Sequence, residues 1–422
     1  MTNKEKDKLY NWHPYTQHKT AFEHPVITHA KNEIIYDEDG KEYIDATCSW
    51  WANPFGHSNK KITQAISQQL QTLDHVLFGG FTHLTAINLS EKLSQILPSN
   101  LNKFFYSDNG STAVEVALKA SLQYFYNKNN SRYKIIAFED AFHGDTFGAM
   151  ATSGISLFNH AFKNSLLKVD RIDLPNDNNI NTVVKTFTKM VKSNDYAAFI
   201  FEPLVLGAAG MKFYKPEYLD TLIKIAKENQ VITIADEVMT GFGKTGKTFA
   251  IDYLKEKPDT ICLSKALTGG TIPLAVTGFS KEIYNAFYHD DTAKAFFHGH
   301  TFTANPTSCA AALAAIDVLN SNKMKKGIEN ISKKHQTFIN KIKNHKKIKS
   351  IAYLGVILSI ELNSNENDYY GNFRNKLYHH FISNGIIIRP VGNIIYTIPP
   401  YIIKDNNLKK IYKAIEDALE II

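Results

Sequence analysis

Residues 231–237, VITIADE, and residues 260–265, TICLSK, carry the pattern that decides the fold. Each stretch is a short, continuously apolar run that ends abruptly in a charged side chain, Asp236 in the first and Lys265 in the second. Uninterrupted apolar runs of this length are typical of strands in a sheet that helices cover on both faces. The two stretches therefore predict buried strands of an α/β domain.

Further apolar runs extend this pattern between residues 100 and 320. They are KFFYS (103–107), KIIAF (134–138), LLKVDRI (166–172), AAFIFEPL (197–204) and AVTGFS (275–280). Helical patterns lie between several of them, at 111–126, 215–229 and 306–321. Strands that alternate with helices predict a parallel arrangement. We therefore expect an α/β fold with a mostly parallel, seven-stranded sheet covered by helices.

The two ends of the chain have a different pattern. Residues 22–48 predict a short hairpin around the turn Asp39-Gly40, and residues 350–422 combine β-rich runs with a final helical pattern. We expect both ends to fold together as a smaller α+β domain. The predicted division assigns residues 1–54 and 322–422 to this small domain and residues 55–321 to the large one.

Composition narrows the class of protein. The chain has 422 residues, of which 44% are hydrophobic and 21% charged, as in ordinary globular proteins. Its three cysteines have no metal-ligand or disulfide spacing, so we expect no metal site and a cytoplasmic location. No stretch approaches the roughly 20 apolar residues of a membrane span. The net charge of +7 comes from scattered lysines that are densest at 323–349, which indicates a solvated helix face, and we expect no nucleic-acid partner.

Three strand ends carry candidate functional groups, because ligands of parallel sheets bind at the carboxyl ends of the strands. Asp236 leaves a buried strand and needs a cationic partner. Lys265 follows another strand, where burial would lower the pKa of the amine and make it a nucleophile. Gly110 and Ser111 begin a helix whose free N–H groups favour an anion. Together they match pyridoxal phosphate (PLP), which requires a Schiff-base lysine, an acid for the pyridinium nitrogen and a phosphate cup. His143 follows a further strand, but a lone histidine there is more often part of the packing.

A competing motif lies at residues 241–248, GFGKTGKT, which fits the phosphate-binding pattern G-x-x-x-x-G-K-[ST]. In a true phosphate-binding loop the strand runs directly into the first glycine. Here the strand ends near Ala235, and five residues intervene before Gly241. The residues after Thr248 are compatible with a helix. A nucleotidase is therefore a remote alternative, and we expect the glycines to form a tight turn near the mouth of the active site.

The segment IADEVMTGFGKTG (234–246), followed by LSKALTGG (263–270), resembles the class III, PLP-dependent aminotransferases of fold type I. The resemblance covers nearly the whole chain. Within the class, the chain is most similar to the enzymes of biotin synthesis that aminate 8-amino-7-oxononanoate to 7,8-diaminononanoate with S-adenosylmethionine. The stretches that carry this narrower similarity include WHPYTQ (12–17), SWWANPFGH (49–57), HGHTFTANPTSCAAA (298–312) and IIIRPVGNIIYTIPPYII (386–403).

The resemblance implies a role for each cofactor residue. Lys265 would bind the cofactor covalently and then move the proton between the substrate carbon and the cofactor. Asp236 would keep the pyridine nitrogen protonated. Gly110 and Ser111 would cup the phosphate, and Phe142 would stack on the ring.

The resemblance also implies substrate contacts and a homodimer with shared active sites. Tyr15, Trp50 and Gly299 would line the substrate pocket, and Arg389 would pair with the carboxylate of the oxononanoate. Thr301 would reach the phosphate from the partner subunit, with His300 beside it.

Three positions depart from the family pattern. Phe142 replaces a common tyrosine and removes a hydroxyl near the substrate, His300 replaces a common proline, and Leu206 replaces a common glutamine. The alternatives are therefore another class III aminotransferase, with lysine as donor or with an ω-amino acid or diamine as substrate. A non-catalytic relative is not favoured, since Lys265 and Asp236 are both present.

Overall fold

The computed structural model describes residues 1–154, 156–364 and 372–421. Its strands, in chain order, are β1 (Ile27–Lys31), β2 (Ile34–Asp37), β3 (Glu42–Asp45), β4 (Leu101–Ser107), β5 (Lys134–Phe138), β6 (Val169–Ile172), β7 (Tyr196–Phe201), β8 (Val205–Leu206), β9 (Lys212–Phe213), β10 (Ile232–Asp236), β11 (Thr260–Leu263), β12 (Ala275–Ser280), β13 (Ile348–Leu354), β14 (Ile357–Leu362), β15 (Ile386–Ile387) and β16 (Ile394–Thr397).

The helices connect and cover these strands. They are α1 (Asn3–Tyr10), α2 (Cys48–Trp51), α3 (Lys60–Leu70), α4 (Leu84–Ile96), α5 (Gly110–Asn127), α6 (Phe147–Thr152), α7 (Ser156–Asn159), α8 (Ile180–Val191), α9 (Pro216–Glu228), α10 (Lys281–Asn285), α11 (Pro306–Leu319), α12 (Asn322–Ile342), α13 (Asn372–Ser383) and α14 (Asp405–Ile421). Within the described ranges, none of the helices combines the length and the apolar character that a membrane crossing requires.

The predicted central sheet is confirmed, with seven strands in the order β4-β12-β11-β10-β7-β5-β6. The neighbouring pairs are parallel except at β12, which is antiparallel to both β11 and β4. The interior strands β7, β10 and β11 are buried along their whole length, as expected for strands covered on both faces. The run predicted at 166–172 forms a strand only from Val169 onward. The carboxyl ends of β4, β5, β7, β10 and β11 therefore lie at one edge of the sheet.

Both ends of the chain meet in a smaller sheet. The predicted hairpin around Asp39-Gly40 is confirmed as β2 and β3, to which β1 adds on one side and β15, from the far end of the sequence, adds in parallel on the other. Strands β13, β14 and β16 form a separate antiparallel sheet. The domain division at 54/55 and 321/322 stays a prediction.

The segment 241–248 has neither half of the phosphate-binding context. It follows β10 after an intervening turn, and a 3₁₀ helix of four residues, Ala250–Tyr253, comes next instead of a long helix. The Lys247 amine donates to the Asp252 carbonyl at 3.0 Å. The loop packs against the turn before β14, where Val356 N–H donates to the Lys244 carbonyl at 2.9 Å. The glycines form a tight turn, as expected, in which Gly246 N–H donates to the Gly243 carbonyl at 3.0 Å. They do not line the cavity described next, and Gly246 lies against Gly355, just before β14.

Candidate active site

A cavity of about 420 Å³ opens at the carboxyl edge of the central sheet. This volume lies in the range of small-molecule sites. Its walls include five of the residues singled out from the sequence, Gly110, Ser111, Phe142, Asp236 and Lys265. The sheet topology brings these residues together because each follows, or ends, a strand that points to the same edge.

Asp236 is the last residue of β10 and is buried. Its Oδ2 lies 2.7 Å from Nδ1 of His143, and its Oδ1 accepts from Val238 N–H at 3.1 Å. Because an ionised carboxylate only accepts hydrogen bonds, Nδ1 of His143 carries the proton. The partner that a buried carboxylate requires is therefore His143, a side chain that sequence reasoning assigned to packing. No local signal in the sequence identifies this pair, because His143 follows β5 whereas Asp236 ends β10.

Lys265 lies just after β11 with a left-handed backbone, at φ 50°. A left-handed conformation is unfavourable for a residue with a side chain, and such strain is concentrated at functional sites. The Lys265 amine lies 4.9 Å from the centre of the Trp51 ring. Burial lowers the pKa of this amine, while the charges of Asp236 and Glu202 oppose the shift. The environment therefore favours the neutral, nucleophilic amine.

Glu202 follows β7 and also faces the cavity. Its carboxyl oxygens accept from Phe142 N–H at 3.0 Å and from Gly207 N–H at 2.9 Å. Burial raises the pKa of this carboxyl to about 7, although the nearby His143 lowers it. Sequence reasoning did not single out Glu202. It ties the loop that holds Phe142 and His143 to the loop after β7.

The amino end of α5 forms a cradle for an anion. Asn109 caps the helix by accepting from Thr112 N–H at 3.1 Å, and the N–H groups of Gly110 and Ser111, in the first turn, have no intrahelical carbonyl to which they could donate. The hydroxyl oxygen of Ser111 accepts from Asp145 N–H at 3.0 Å, so its own hydrogen is available to a ligand. Gly144 lies against this hydroxyl, since a Cβ at Gly144 would stand 1.9 Å from Ser111 Oγ.

The residues predicted to bind the substrate extend away from this cavity. Tyr15 and Arg389 line a second cavity of about 880 Å³. The Trp50 ring contacts both of these residues, with the Arg389 guanidinium 4.9 Å from its centre and the Tyr15 ring at a centroid distance of 5.7 Å. Tyr15 also donates to the Asp145 carboxylate at 2.5 Å. The structure thus brings Tyr15, Trp50 and Arg389 together as one group.

Gly299, His300 and Thr301 are not part of either cavity within the same chain. They lie on the loop before α11, where His300 Nδ1 stands 3.6 Å from the Asp108 carboxylate. Asp108 directly precedes the cradle at the amino end of α5. Their predicted contacts across a dimer stay a prediction.

The residues of the first cavity fit pyridoxal phosphate. Lys265 offers an amine for the aldehyde, Asp236 an acceptor for a protonated ring nitrogen, and Gly110 and Ser111 an N–H cradle for the phosphate. The cradle holds no side chain at Gly110, where a Cβ would stand 2.6 Å from Val238 Cγ1. The donor set therefore matches the three polar ends of this cofactor.

Comparison with known proteins agrees with this geometry. The model of the class III aminotransferase family matches residues 15–419. The adenosylmethionine-8-amino-7-oxononanoate aminotransferase of Synechococcus elongatus is 40% identical, over 97% of this chain and 98% of its own. The protein of the same name from Methanocaldococcus jannaschii is 35% identical over 98% of this chain and 97% of its own.

Solved structures give the same result. The Methanocaldococcus jannaschii enzyme superposes with a TM-score of 0.93 at 34% identity, covering 99% of this chain and 98% of that one. An omega transaminase from Pseudomonas jessenii superposes with a TM-score of 0.90 at 23% identity, over 100% and 98% of the two chains, which shows a shared fold alone. The architecture is that of the fold type I aminotransferases. From the family match over residues 15–419 and these full-length relatives, the chain belongs to the class III aminotransferases.

Proposed function

We propose that the protein binds pyridoxal phosphate and transfers an amino group from S-adenosylmethionine to 8-amino-7-oxononanoate, giving 7,8-diaminononanoate for biotin synthesis. The observation that carries the proposal is that Lys265, Asp236 and the α5 cradle line one cavity. The chain that contains them is 40% identical to the adenosylmethionine-8-amino-7-oxononanoate aminotransferase of Synechococcus elongatus. When bound, the cofactor supplies an electron sink that makes a proton on the substrate carbon acidic.

The residues of the first cavity have defined tasks in this proposal. Lys265 would anchor the cofactor and, once released from it, move the proton between the substrate carbon and the cofactor, for which the lowered pKa of its amine suits it. Asp236, held by His143 at 2.7 Å, keeps a proton on the ring nitrogen. The amino end of α5 would hold the phosphate, and the apolar side chain of Phe142 would exclude water from the ring.

The residues around Trp50 would bind the substrate chain. Arg389 would pair with the carboxylate of the oxononanoate, since a guanidinium binds a carboxylate through two parallel hydrogen bonds. Arg389 makes no ion pair with a carboxylate among the residues that the structure describes, which leaves it available to a ligand. Tyr15 and Trp50 would form the walls along the alkyl chain.

We further propose a homodimer in which Gly299, His300 and Thr301 complete the active site of the partner subunit. Exposed apolar side chains next to this loop support the proposal, notably Phe81 at 65% and Phe302 at 58% exposure. The His75 ring lies 5.2 Å from that of Phe302, so the exposed segment around residues 75–84 and this loop form one surface. The three free cysteines, all buried, support a reducing, cytoplasmic location.

Spectra and half-reactions test the proposal. Purified protein should show the long-wavelength absorbance of a lysine-bound cofactor, and Lys265→Ala should abolish it. The matched control Lys247→Ala, at an exposed lysine outside the cavity, should leave it unchanged. S-adenosylmethionine should convert the cofactor to its amine form faster than lysine or an ω-amino acid does. If lysine converts the cofactor faster, lysine is the amino donor instead of S-adenosylmethionine. Colourless protein that hydrolyses nucleotides would overturn the whole proposal.

A further inference from the structure

Two neighbouring tryptophans, Trp50 and Trp51, contact residues at opposite ends of the candidate site. The ring of Trp51 lies 4.9 Å from the Lys265 amine, and the ring of Trp50 lies 4.9 Å from the Arg389 guanidinium. One end carries the reacting amine and the other the candidate carboxylate partner. The backbone of a single short turn, α2, therefore determines where both walls stand.

This turn is left-handed. Cys48, Ser49, Trp50 and Trp51 have φ angles of 50°, 44°, 65° and 71°. The turn is closed by two hydrogen bonds, from Trp51 N–H to the Thr47 carbonyl and from Ala52 N–H to the Cys48 carbonyl, both at 2.8 Å. A left-handed turn without glycine is unfavourable for L-amino acids, so its surroundings must hold it in place.

The group that holds the turn is the buried carboxylate of Asp45, at the end of β3. One of its oxygens accepts from Thr47 N–H at 3.1 Å and Ser49 N–H at 2.9 Å. The other accepts from the Ser49 hydroxyl at 2.8 Å and from His57 Nε2 at 2.9 Å. Asp45 is fully buried, and neither Asp45 nor His57 lines either cavity. The hydrogen bonds of these two side chains therefore connect them to the substrate path through the turn.

We propose that Asp45, supported by His57, is a positioning residue that sets the spacing between the Trp51 wall at Lys265 and the Trp50 wall at Arg389. This pair, which we call the Asp45–His57 clamp, thereby selects amines whose carboxylate lies at the right distance from the reacting carbon. This inference rests on the proposed function in taking Lys265 and Arg389 as the two ends of the substrate path.

A pair of variants at His57 isolates the clamp. His57→Gln keeps an N–H that can reach Asp45, whereas His57→Leu removes it. Both are made in the holoenzyme with Trp12→Phe, since Trp12 is 92% exposed and the fluorescence then reports only Trp50 and Trp51. The rate of cofactor conversion is measured with 7,8-diaminononanoate and with the diamine of the same length that lacks the carboxylate.

His57→Leu should raise the KM for 7,8-diaminononanoate about tenfold and shift the tryptophan emission, with less than about twofold change for the diamine without a carboxylate. His57→Gln should restore both readouts. Asp45→Asn, which replaces an acceptor by a donor facing Ser49 and His57, should reproduce the leucine variant.

Equal losses on both amines, or no change in either, would overturn the proposed positioning role. If Asp45→Asn does not fold, the His57 pair still decides, because His57 is partly exposed. Failure of the proposed function is a separate result. In that case the wild type would not convert 7,8-diaminononanoate at all, and the same comparison would be made with whichever amino carboxylate it accepts.

Discussion

His335 on α12 should make the folded protein lose stability in mild acid. Its side chain is fully buried, with Nε2 3.0 Å from the Val356 carbonyl and Nδ1 2.8 Å from the Tyr412 hydroxyl. A carbonyl only accepts, so Nε2 carries the proton and Nδ1 accepts from Tyr412. A second proton on Nδ1 would break this arrangement and bury a charge. Burial accordingly lowers the pKa of His335 from 6.5 to about 4, although the bond to Val356 opposes the shift.

The direction and the size of this loss of stability follow from the linkage between proton binding and folding. Because the folded pKa lies below the unfolded one, the unfolded chain binds the proton first as the pH falls. The contribution of His335 is therefore complete above pH 6.5 and is lost progressively down to about pH 4. At about 1.4 kcal/mol for each pKa unit, the free energy of unfolding should fall by about 2 kcal/mol between pH 7 and pH 5 from this group alone.

Urea unfolding at the two pH values measures this loss. His335→Gln keeps a donor for Val356 and an acceptor for Tyr412 but does not titrate, so its loss of stability should be about 2 kcal/mol smaller than that of the wild type. His289→Gln, at an exposed histidine, should behave like the wild type. If the wild type and His335→Gln lose the same free energy between pH 7 and pH 5, the reasoning is refuted.

Three further predictions follow from the site. Gly144→Ala should weaken cofactor binding at least tenfold, because its Cβ would stand 1.9 Å from Ser111 Oγ at a φ of 127°. The affinity is measured by fluorescence titration with PLP, and Gly79→Ala, whose Cβ would meet only Leu77 at 3.9 Å, is the control. Equal affinities of the Gly144→Ala and Gly79→Ala variants would contradict the proposed phosphate cradle. Asp236→Asn should slow the half-reaction by about 10²-fold or more, since an amide does not hold a ring proton as a carboxylate does; a rate near that of the wild type would remove Asp236 from the mechanism. Ser49→Gly should be more stable than Ser49→Ala by about 1 kcal/mol in thermal unfolding, because both lose the hydroxyl but only alanine keeps the left-handed strain, and equal stabilities would argue that the turn is relaxed.

The sequence predicts those parts of the site that depend on strand ends. Asp236 and Lys265 could be located because a buried strand that ends in a charge is a local pattern, and parallel strands bring such ends to one edge. The role of His143 could not be predicted, since its partner lies on β10 while His143 follows β5, and β7 separates these two strands in the sheet. The side chains of His143 and Asp236 meet only because the order of the strands brings the ends of β5 and β10 to the same region of the sheet edge.

The left-handed turn at α2 was not predictable for a different reason. Left-handed backbone is usually marked by glycine or asparagine, and CSWW contains neither. The conformation is held by three hydrogen bonds from the turn to Asp45, which is itself bonded to His57, and no local propensity reveals these contacts. The segment 241–248 shows the opposite case, in which a complete local pattern lacks the strand and helix that would give it meaning.

The pairing of β15 with β3 also governs when the protein can finish folding during synthesis. Ile44 N–H donates to the Gly385 carbonyl, and Ile398 N–H donates to the Ala46 carbonyl, so the segment that leads into the two tryptophans is bonded to residues made roughly 340 positions later. At about 5–20 residues per second, a ribosome needs roughly 20–70 s to supply them. Throughout that interval the edge of β3 that pairs with β15 has no partner strand. A chain that is released before β15 is made cannot form this pair.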